Sequence, residues 1–400
     1  MTPKKVLFVI NNFNIGGPQK SLLSLLYRLN YDQIEASLLI LSGKGSLTKY
    51  LPKQVNLLKT PDIVEYATLT PDRFIKKTVS TLFSRNFLFS LKAISKVISG
   101  RTRNKMTHIK QEYWIEIKDA LPKLNNSFDV AIGVSGGHSM MYIADCVKAS
   151  MKIGWIRTDY RVLGRDQEID AVYFNEMDKI ISVSSICKEI FIDVFPTEES
   201  KVQVMYNVLP FEMYKNIPAD TKALTREEKC CKLLSISRLD PHKGLDLAIE
   251  TLEILLKKGF KIKWYVLGDG NYRKEIEKLV KIKGLQKNFV LLGFHVNTAA
   301  FIQECDILVH PSKFEGKSNV IDEAKYLLKP IVATNFNTVN EQLSHEWTGL
   351  ISDMDPESLS QCIQDVLTKK ELKDRFQKNL LNERYDDSKS LETFYSIVNI

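Results

Sequence analysis

Two short apolar runs, Ile307–Val309 and Ile331–Thr334, are separated by just enough chain for one loop and one amphipathic helix, and this spacing leaves few possible folds. Strands joined through a crossover helix run parallel. Parallel strands are covered on both faces, so a helix layer lies on each side of their sheet. Pro311 stops the first run and Pro330 ends the helix. Between them, Ser312–Ser318 reads as a loop. Asn319 is expected to cap the helix, with Asp322 at the third helical position as a capping-box variant. Val320, Ile321, Ala324, Leu327 and Leu328 supply the apolar face.

The same alternation recurs along the chain. Apolar runs at 5–10, 37–41, 55–59, 128–133, 152–156, 178–184 and 202–210 predict one parallel sheet. A second set begins at CKLLSISRLD and continues through KIKWYVLGDG, FVLLGF, DILVH and IVATN. The 400 residues exceed one typical core and suit two domains. Low apolar periodicity and many charges place a linker at 211–229. The expected division is therefore 1–210, the linker, 230–385, and a C-terminal helix over 386–400. The fold class is α/β, with two doubly wound Rossmann-like domains facing a cleft.

Ligands in such sheets bind beyond the carboxyl ends of the strands. In the 307–334 unit, that end is also a helix N-terminus, where backbone N–H groups and the helix dipole favour an anion such as phosphate. Gly316 lets that backbone come close to a ligand. Glu315 and Glu323 flank it, and a carboxylate beside an anion site suits sugar hydroxyls as donors. Phosphate together with a polyol suggests a nucleotide sugar; two surface glutamates on an ordinary crossover is the plainer alternative. Gly16 and Gly17 stand between the first strand and a helix bearing Leu22, Leu25, Leu26 and Leu29. They lack the G-x-G-x-x-G spacing of a dinucleotide site, which disfavours an NAD enzyme. His138 and Arg157 follow later strands and are expected on the same rim as Gly17.

Composition excludes several classes. Six cysteines with no C-x-x-C spacing argue against zinc and a disulfide framework and fit a reducing cytoplasm. The early run VLFVI is too short for a signal h-region, and no run reaches transmembrane length, so membrane contact is expected to be peripheral. Arg73–Lys110 carries ten Lys or Arg and no Asp or Glu, interleaved with apolar residues, within a basic helical insertion at about 72–118. It fits an anionic membrane surface, such as the inner face of the cell membrane, or a solvated helix on the domain. Nucleic acid is disfavoured, since no recognition motif accompanies the charge.

GGPQKSL near the start, SRLDPHKG at 237–244, VLGDG at 266–270 and FEGKSNVIDEA at 314–324 resemble the GT4 family of retaining GT-B glycosyltransferases, which includes bacterial capsule, lipopolysaccharide and exopolysaccharide enzymes. Glu315 and Glu323 match its E-x7-E motif. The resemblance implies a UDP- or GDP-sugar donor, no metal or other cofactor, and a glycan or polyprenyl-linked saccharide acceptor. It implies that Arg238 and Lys243 clamp the diphosphate, that the backbone N–H groups of Lys317, Ser318, Asn319 and Val320 meet the distal phosphate, that Glu315 holds donor-sugar hydroxyls and that Glu323 binds the ribose. Gly16 and Gly17 would approach from the first domain, and the final helix would cross back to that domain. It also implies front-face attack through an oxocarbenium-like ion pair.

One departure is Arg157, where many relatives carry a histidine. Arginine cannot serve as a base, and His138 is the candidate to compensate. Arg157 also keeps open a different class, a catalytically silent partner of another glycosyltransferase. A sugar-nucleotide epimerase of the same shape is a third reading.

Overall fold

A computed structural model describes residues 2–62, 64, 106–219, 221, 224, 230–383 and 386–400. The basic stretch at 72–105, with the membrane contact expected of it, lies outside the described residues. The chain divides into two units, Met1–Asn207 with Lys389–Ile400, and Val208–Ser388.

Unit 1 holds strands β1 (Lys4–Ile10), β2 (Ile34–Ile40), β3 (Asn56–Leu58), β4 (Ser127–Gly133), β5 (Lys148–Ile156), β6 (Lys179–Ser182) and β7 (Val202–Val204). They form a seven-stranded sheet in the order β3-β2-β1-β4-β5-β6-β7, with every pair parallel. Helices α1 (Gly17–Arg28), α2 (Met106–Ile117), α3 (His138–Cys146), α4 (Gln167–Asn175) and α5 (Ser185–Val194) connect them. The strand order reverses between β1 and β4, so the loops after those strands open at the switch point. Helix α2, the end of the expected basic insertion, buries Ile109, Tyr113, Trp114 and Ile117 in the unit's core.

Unit 2 begins with a short helix, α6 (Phe211–Tyr214). Its strands are β8 (Cys231–Ile236), β9 (Ile262–Leu267), β10 (Phe289–Gly293), β11 (Ile307–His310), β12 (Ile331–Thr334) and β13 (Leu350–Ser352). They pair in parallel in the order β10-β9-β8-β11-β12-β13. The helices are α7 (Leu245–Lys257), α8 (Arg273–Ile282), α9 (Ala299–Glu304), α10 (Asn319–Tyr326), α11 (Pro356–Thr368) and α12 (Lys370–Asn382). Side chains alternate between two cores, as a strand period of two demands. Leu233, Trp264, Val266, Ile307, Val309 and Val332 enter one. Leu234, Tyr265, Leu267, Leu308, Ile331 and Ala333 enter the other, against Ile321 and Ala324 of α10.

Three boundaries differ from the sequence reading. The first part of the expected linker is helical: Met213, Tyr214 and Ile217 are buried, and the Leu209 N–H donates to Asp387 at 2.9 Å. The helical spacing of these apolar residues anchors 211–217 to unit 2, which starts at Val208. Second, Ser318 rather than Asn319 caps α10, because Ser318 is extended and its hydroxyl accepts the Ile321 N–H. Asp322 then falls at the fourth helical position. Third, β13 is a three-residue strand too short for an apolar pattern to reveal.

The last helix, α13 (Ser388–Ile397), packs on unit 1. Phe394 stacks on Phe8 at 6.1 Å, and the Asn30 N–H donates to the Tyr395 hydroxyl. Lys4 donates to the carbonyls of Val398 and Asn399, and Lys179 to that of Ile397, placing cations where helix carbonyls are left unpaired. Among the described residues no helix is long and apolar enough to cross a membrane.

Candidate functional site

In unit 2 the strand order reverses between β8 and β11, and their C-terminal loops bring most of the candidate residues together. The β8 loop makes a 3-10 turn, Pro241–Lys243, capped by Asp240, and ends at Gly244. Gly244 has φ 63°, and a Cβ there would lie 1.9 Å from the Pro311 carbonyl oxygen. Only glycine lets the two loops close to this distance. The Lys313 N–H donates to His242 O at 2.8 Å across the same junction. On the other side, a Cβ at Gly268 would meet Ser237 O at 1.8 Å, which joins the loop after β9 to the group.

Glu315 is the centre of this arrangement. Its Oε1 accepts from Lys243 Nζ at 2.7 Å, Ser312 Oγ at 2.9 Å and His310 Nε2 at 3.1 Å. Among the described residues its Oε2 receives no hydrogen bond, and it is not sealed from solvent. The side chains of Glu315 and Lys243 are 14% and 17% exposed. Burial pushes the Glu315 carboxyl up, but the Lys243 ammonium and His310 outweigh it and hold it at about 2. The group is therefore a carboxylate at every physiological pH, with one oxygen fixed and the other available to a ligand.

His310 ends β11, packs edge-on against Phe336 and orients the carboxylate. Thr334 at the end of β12 donates to the carbonyls of Ser312 and His310, and Thr338 to that of Glu315, so the loop backbone is tied down along its length. Arg238 contrasts with Lys243: its side chain is 67% exposed and lies 3.2 Å from Asp240.

The other glutamate of the pair is placed differently. Glu323 sits at the start of the second turn of α10 with 0% exposure, and its Oε2 accepts the hydroxyls of Tyr214 and Thr298. Burial, then the carboxylate beside it, raises the Tyr214 hydroxyl well above its ordinary range, so it stays a donor.

Gly316 is buried in the loop and Ser318 opens α10, with Asn319 and Val320 in its first turn. The Ser318 N–H donates to Gln342 Oε1 at 2.8 Å, so the amides expected to face a phosphate are fewer by one. Lys317 Nζ lies 2.9 Å from Asp322 Oδ2, both buried, as a close charge contact rather than an aligned hydrogen bond.

In unit 1 the candidates separate. Gly16 caps α1 with extended backbone, and among the described residues nothing lies within 4 Å of a Cβ built on Gly17. Arg157, one residue beyond β5, does reach this turn: it donates to Pro18 O at 3.0 Å and to Asn207 Oδ1 at 3.2 Å, and stacks on Trp155. Asn207 Oδ1 also accepts from Ser21 in α1. Burial lowers the Arg157 guanidinium to about 9, which leaves it cationic at neutral pH.

His138 has other neighbours. It begins α3, lies edge-on to Trp114 at 5.3 Å and contacts Lys110 O at 3.4 Å. Burial, then the charges of Arg165 and Lys110, hold its imidazole down at about 3. These neighbours, Trp114 and Lys110, differ from the Pro18 and Asn207 partners of Arg157.

The residues that the sequence did not single out are His310, Ser312, Tyr214, Thr298, Thr338 and Gln342. His310 alone left a signal, as a polar residue closing an apolar strand beside the glutamate.

Residues 216–382 match the family model described as glycosyl transferases group 1. Over 98 residues the chain is 32% identical to the poly(ribitol-phosphate) alpha-N-acetylglucosaminyltransferase of Staphylococcus aureus, covering 24% of this chain and 20% of that protein. Over 224 residues it is 26% identical to the N-acetylgalactosamine-N,N'-diacetylbacillosaminyl-diphospho-undecaprenol 4-alpha-N-acetylgalactosaminyltransferase of Campylobacter jejuni, covering 56% of this chain and 59% of that protein. The chain thus spans from a fifth to less than two thirds of the length of these curated relatives. Anabaena Alr3699/HepE, solved with UDP and glucose, superposes with a TM-score of 0.71 at 17% identity, covering 99% of both chains. That likeness is one of fold, and the fold is GT-B.

Proposed function

Because the chain carries a glycosyl transferases group 1 domain over residues 216–382, we propose that it is a retaining glycosyltransferase that moves a sugar from a UDP- or GDP-sugar to a growing surface glycan. The observation that carries this reading is Glu315. One carboxylate oxygen is locked by three donors and the other is left for a ligand, at the switch point of a parallel sheet and beside a helix N-terminus.

In this reading the distal phosphate of the donor lies at the first turn of α10. Lys243 and Arg238 balance the charge that develops on the leaving diphosphate, so that no metal is needed. Oε2 of Glu315 accepts a donor-sugar hydroxyl and faces the positive charge that grows at the anomeric carbon. Held at about 2, Glu315 is not the proton donor. The bond from the anomeric carbon to the diphosphate oxygen breaks, the acceptor oxygen attacks from the same face, and a leaving-group phosphate oxygen takes the acceptor proton. Glu323 is the proposed ribose contact, its carboxylate held by the Tyr214 and Thr298 hydroxyls.

The acceptor we propose is a lipid-linked saccharide, the class named for the Campylobacter relative, and we place its transfer at the inner membrane face. A thermal-shift panel of UDP- and GDP-sugars tests the donor half: a ligand at 100 times its dissociation constant adds about 2.7 kcal/mol to stability. A melting temperature unmoved by every sugar nucleotide contradicts the reading. A nucleotide sugar that binds but is neither hydrolysed nor transferred, in EDTA or with added divalent metal, points instead to a silent partner protein.

A further inference from the structure

The turn that opens α10 is held by a side chain from outside its own strand–helix–strand unit. Gln342 follows the 3-10 turn Val339–Glu341 and is 2% exposed. Its Oε1 accepts the Ser318 N–H at 2.8 Å, and its Nε2 donates to the Ser318 carbonyl at 2.7 Å. The same Nε2 donates to Asp322 Oδ1 at 2.8 Å. A primary amide thus pairs with both peptide groups flanking one residue, as a neighbouring strand would, and fixes the two peptide planes.

The helix does not do this by itself. Its own bond from the Asp322 N–H to Ser318 O is 3.4 Å long, at the edge of useful geometry, and the amide makes the shorter bond to that carbonyl. Asp322 in turn lies 2.9 Å from the buried Lys317 ammonium, so Gln342 sets the carboxylate that places the residue before the cap. The body of α10 is held independently by Ile321 and Ala324 in the apolar core. Loss of Gln342 therefore loosens the entry to the helix more than the docking of the helix.

We infer that Gln342 is a positioning residue for the diphosphate end of the donor, acting through the Ser318 turn without touching the ligand. This rests on the reading above, that a nucleotide diphosphate lies at the first turn of α10. An amide is the group the site requires, because it has one acceptor for the Ser318 N–H and donors for Ser318 O and Asp322. Glutamate in its place has no such donor and sets a second negative charge beside Asp322.

Calorimetric titration of UDP, GDP, UMP and GMP into the full chain, the Gln342→Leu variant and the Gln342→Glu variant tests the inference. The expected result is that each variant binds the diphosphate about tenfold or more weakly, while monophosphate affinity stays within about twofold of the wild type. A merely structural role would lower the melting temperature and weaken both nucleotides together. Equal losses for mono- and diphosphate, or no loss for either, overturn the inference. If Gln342→Leu does not fold, the shape-conserving Gln342→Glu carries the same comparison. Wild-type protein that binds none of the four nucleotides overturns the donor reading, and this inference with it.

Discussion

The two units share one architecture, yet their candidate residues behave differently. In unit 2, Lys243, His310, Ser312 and Glu315 arrive from two loops at the switch point and converge on a single carboxylate oxygen. In unit 1, Gly17, His138 and Arg157 follow three different strands; Arg157 reaches the turn that bears Gly17 through Pro18 O, while His138 has other neighbours, Trp114 and Lys110. A rim position is not by itself a role. Convergence on one atom assigns chemistry; possession of a polar side chain at a strand end does not.

The largest effect is expected at Glu315. Glu315→Gln keeps the shape but removes the charge, leaving Lys243 with a neutral partner. A sugar-transfer assay is expected to show kcat/KM reduced on the order of 10³. The same residue gives a pH signature. Its carboxyl is held at about 2 against an ordinary 4.5, so its contribution to stability is fully present above pH 4.5 and lost as pH falls towards 2. That contribution is on the order of 3 kcal/mol. Acid-unfolding curves of the wild type and Glu315→Gln should therefore converge at low pH.

A smaller effect is expected in unit 1 from Arg157→Lys. The ammonium cannot span Pro18 O and Asn207 as the guanidinium fork does. Loss of the two bonds costs about 1–2 kcal/mol and lowers the melting temperature by roughly 2–6 °C. A melting temperature equal to wild type would show that the fork does not hold the α1 turn.

The smallest catalytic effect belongs to His138→Ala. Its kcat should stay within about threefold, against the 10²–10⁴ or so that loss of a general acid or base produces. The stability loss at pH 7 reports the packing against Trp114. A large fall in kcat with an unchanged fold would return His138 to the site and erase the contrast between the units.

Much of this was legible before the structure. The apolar runs of β1, β8, β11 and β12 announced themselves because parallel strands are buried on both faces, and Glu315 was visible because it precedes a helix start directly. The cap was misplaced by one residue, since serine and asparagine both cap helices and only the extended backbone of Ser318 decides between them. The neighbours of Glu323 left no local signal. Its partners, Tyr214 and Thr298, are far away in sequence, and Tyr214 lay in a stretch that read as a linker. Gln342 had no local signal at all, because its three bonds are made across the loop that follows β12. His138 and Arg157 looked alike as rim residues, and only their neighbours separate them.

In the proposed site the Oε2 oxygen of Glu315 holds the donor sugar. Calorimetric titration of the nucleotide sugar identified by thermal shift, and of its bare nucleoside diphosphate, into wild-type and Glu315→Gln protein tests it directly. In the variant, affinity for the nucleotide sugar should fall to that of the bare diphosphate, while the diphosphate itself, now facing a Lys243 without its carboxylate, binds as tightly as before or more so. A variant that keeps the wild-type preference for the sugar-bearing nucleotide would contradict the account.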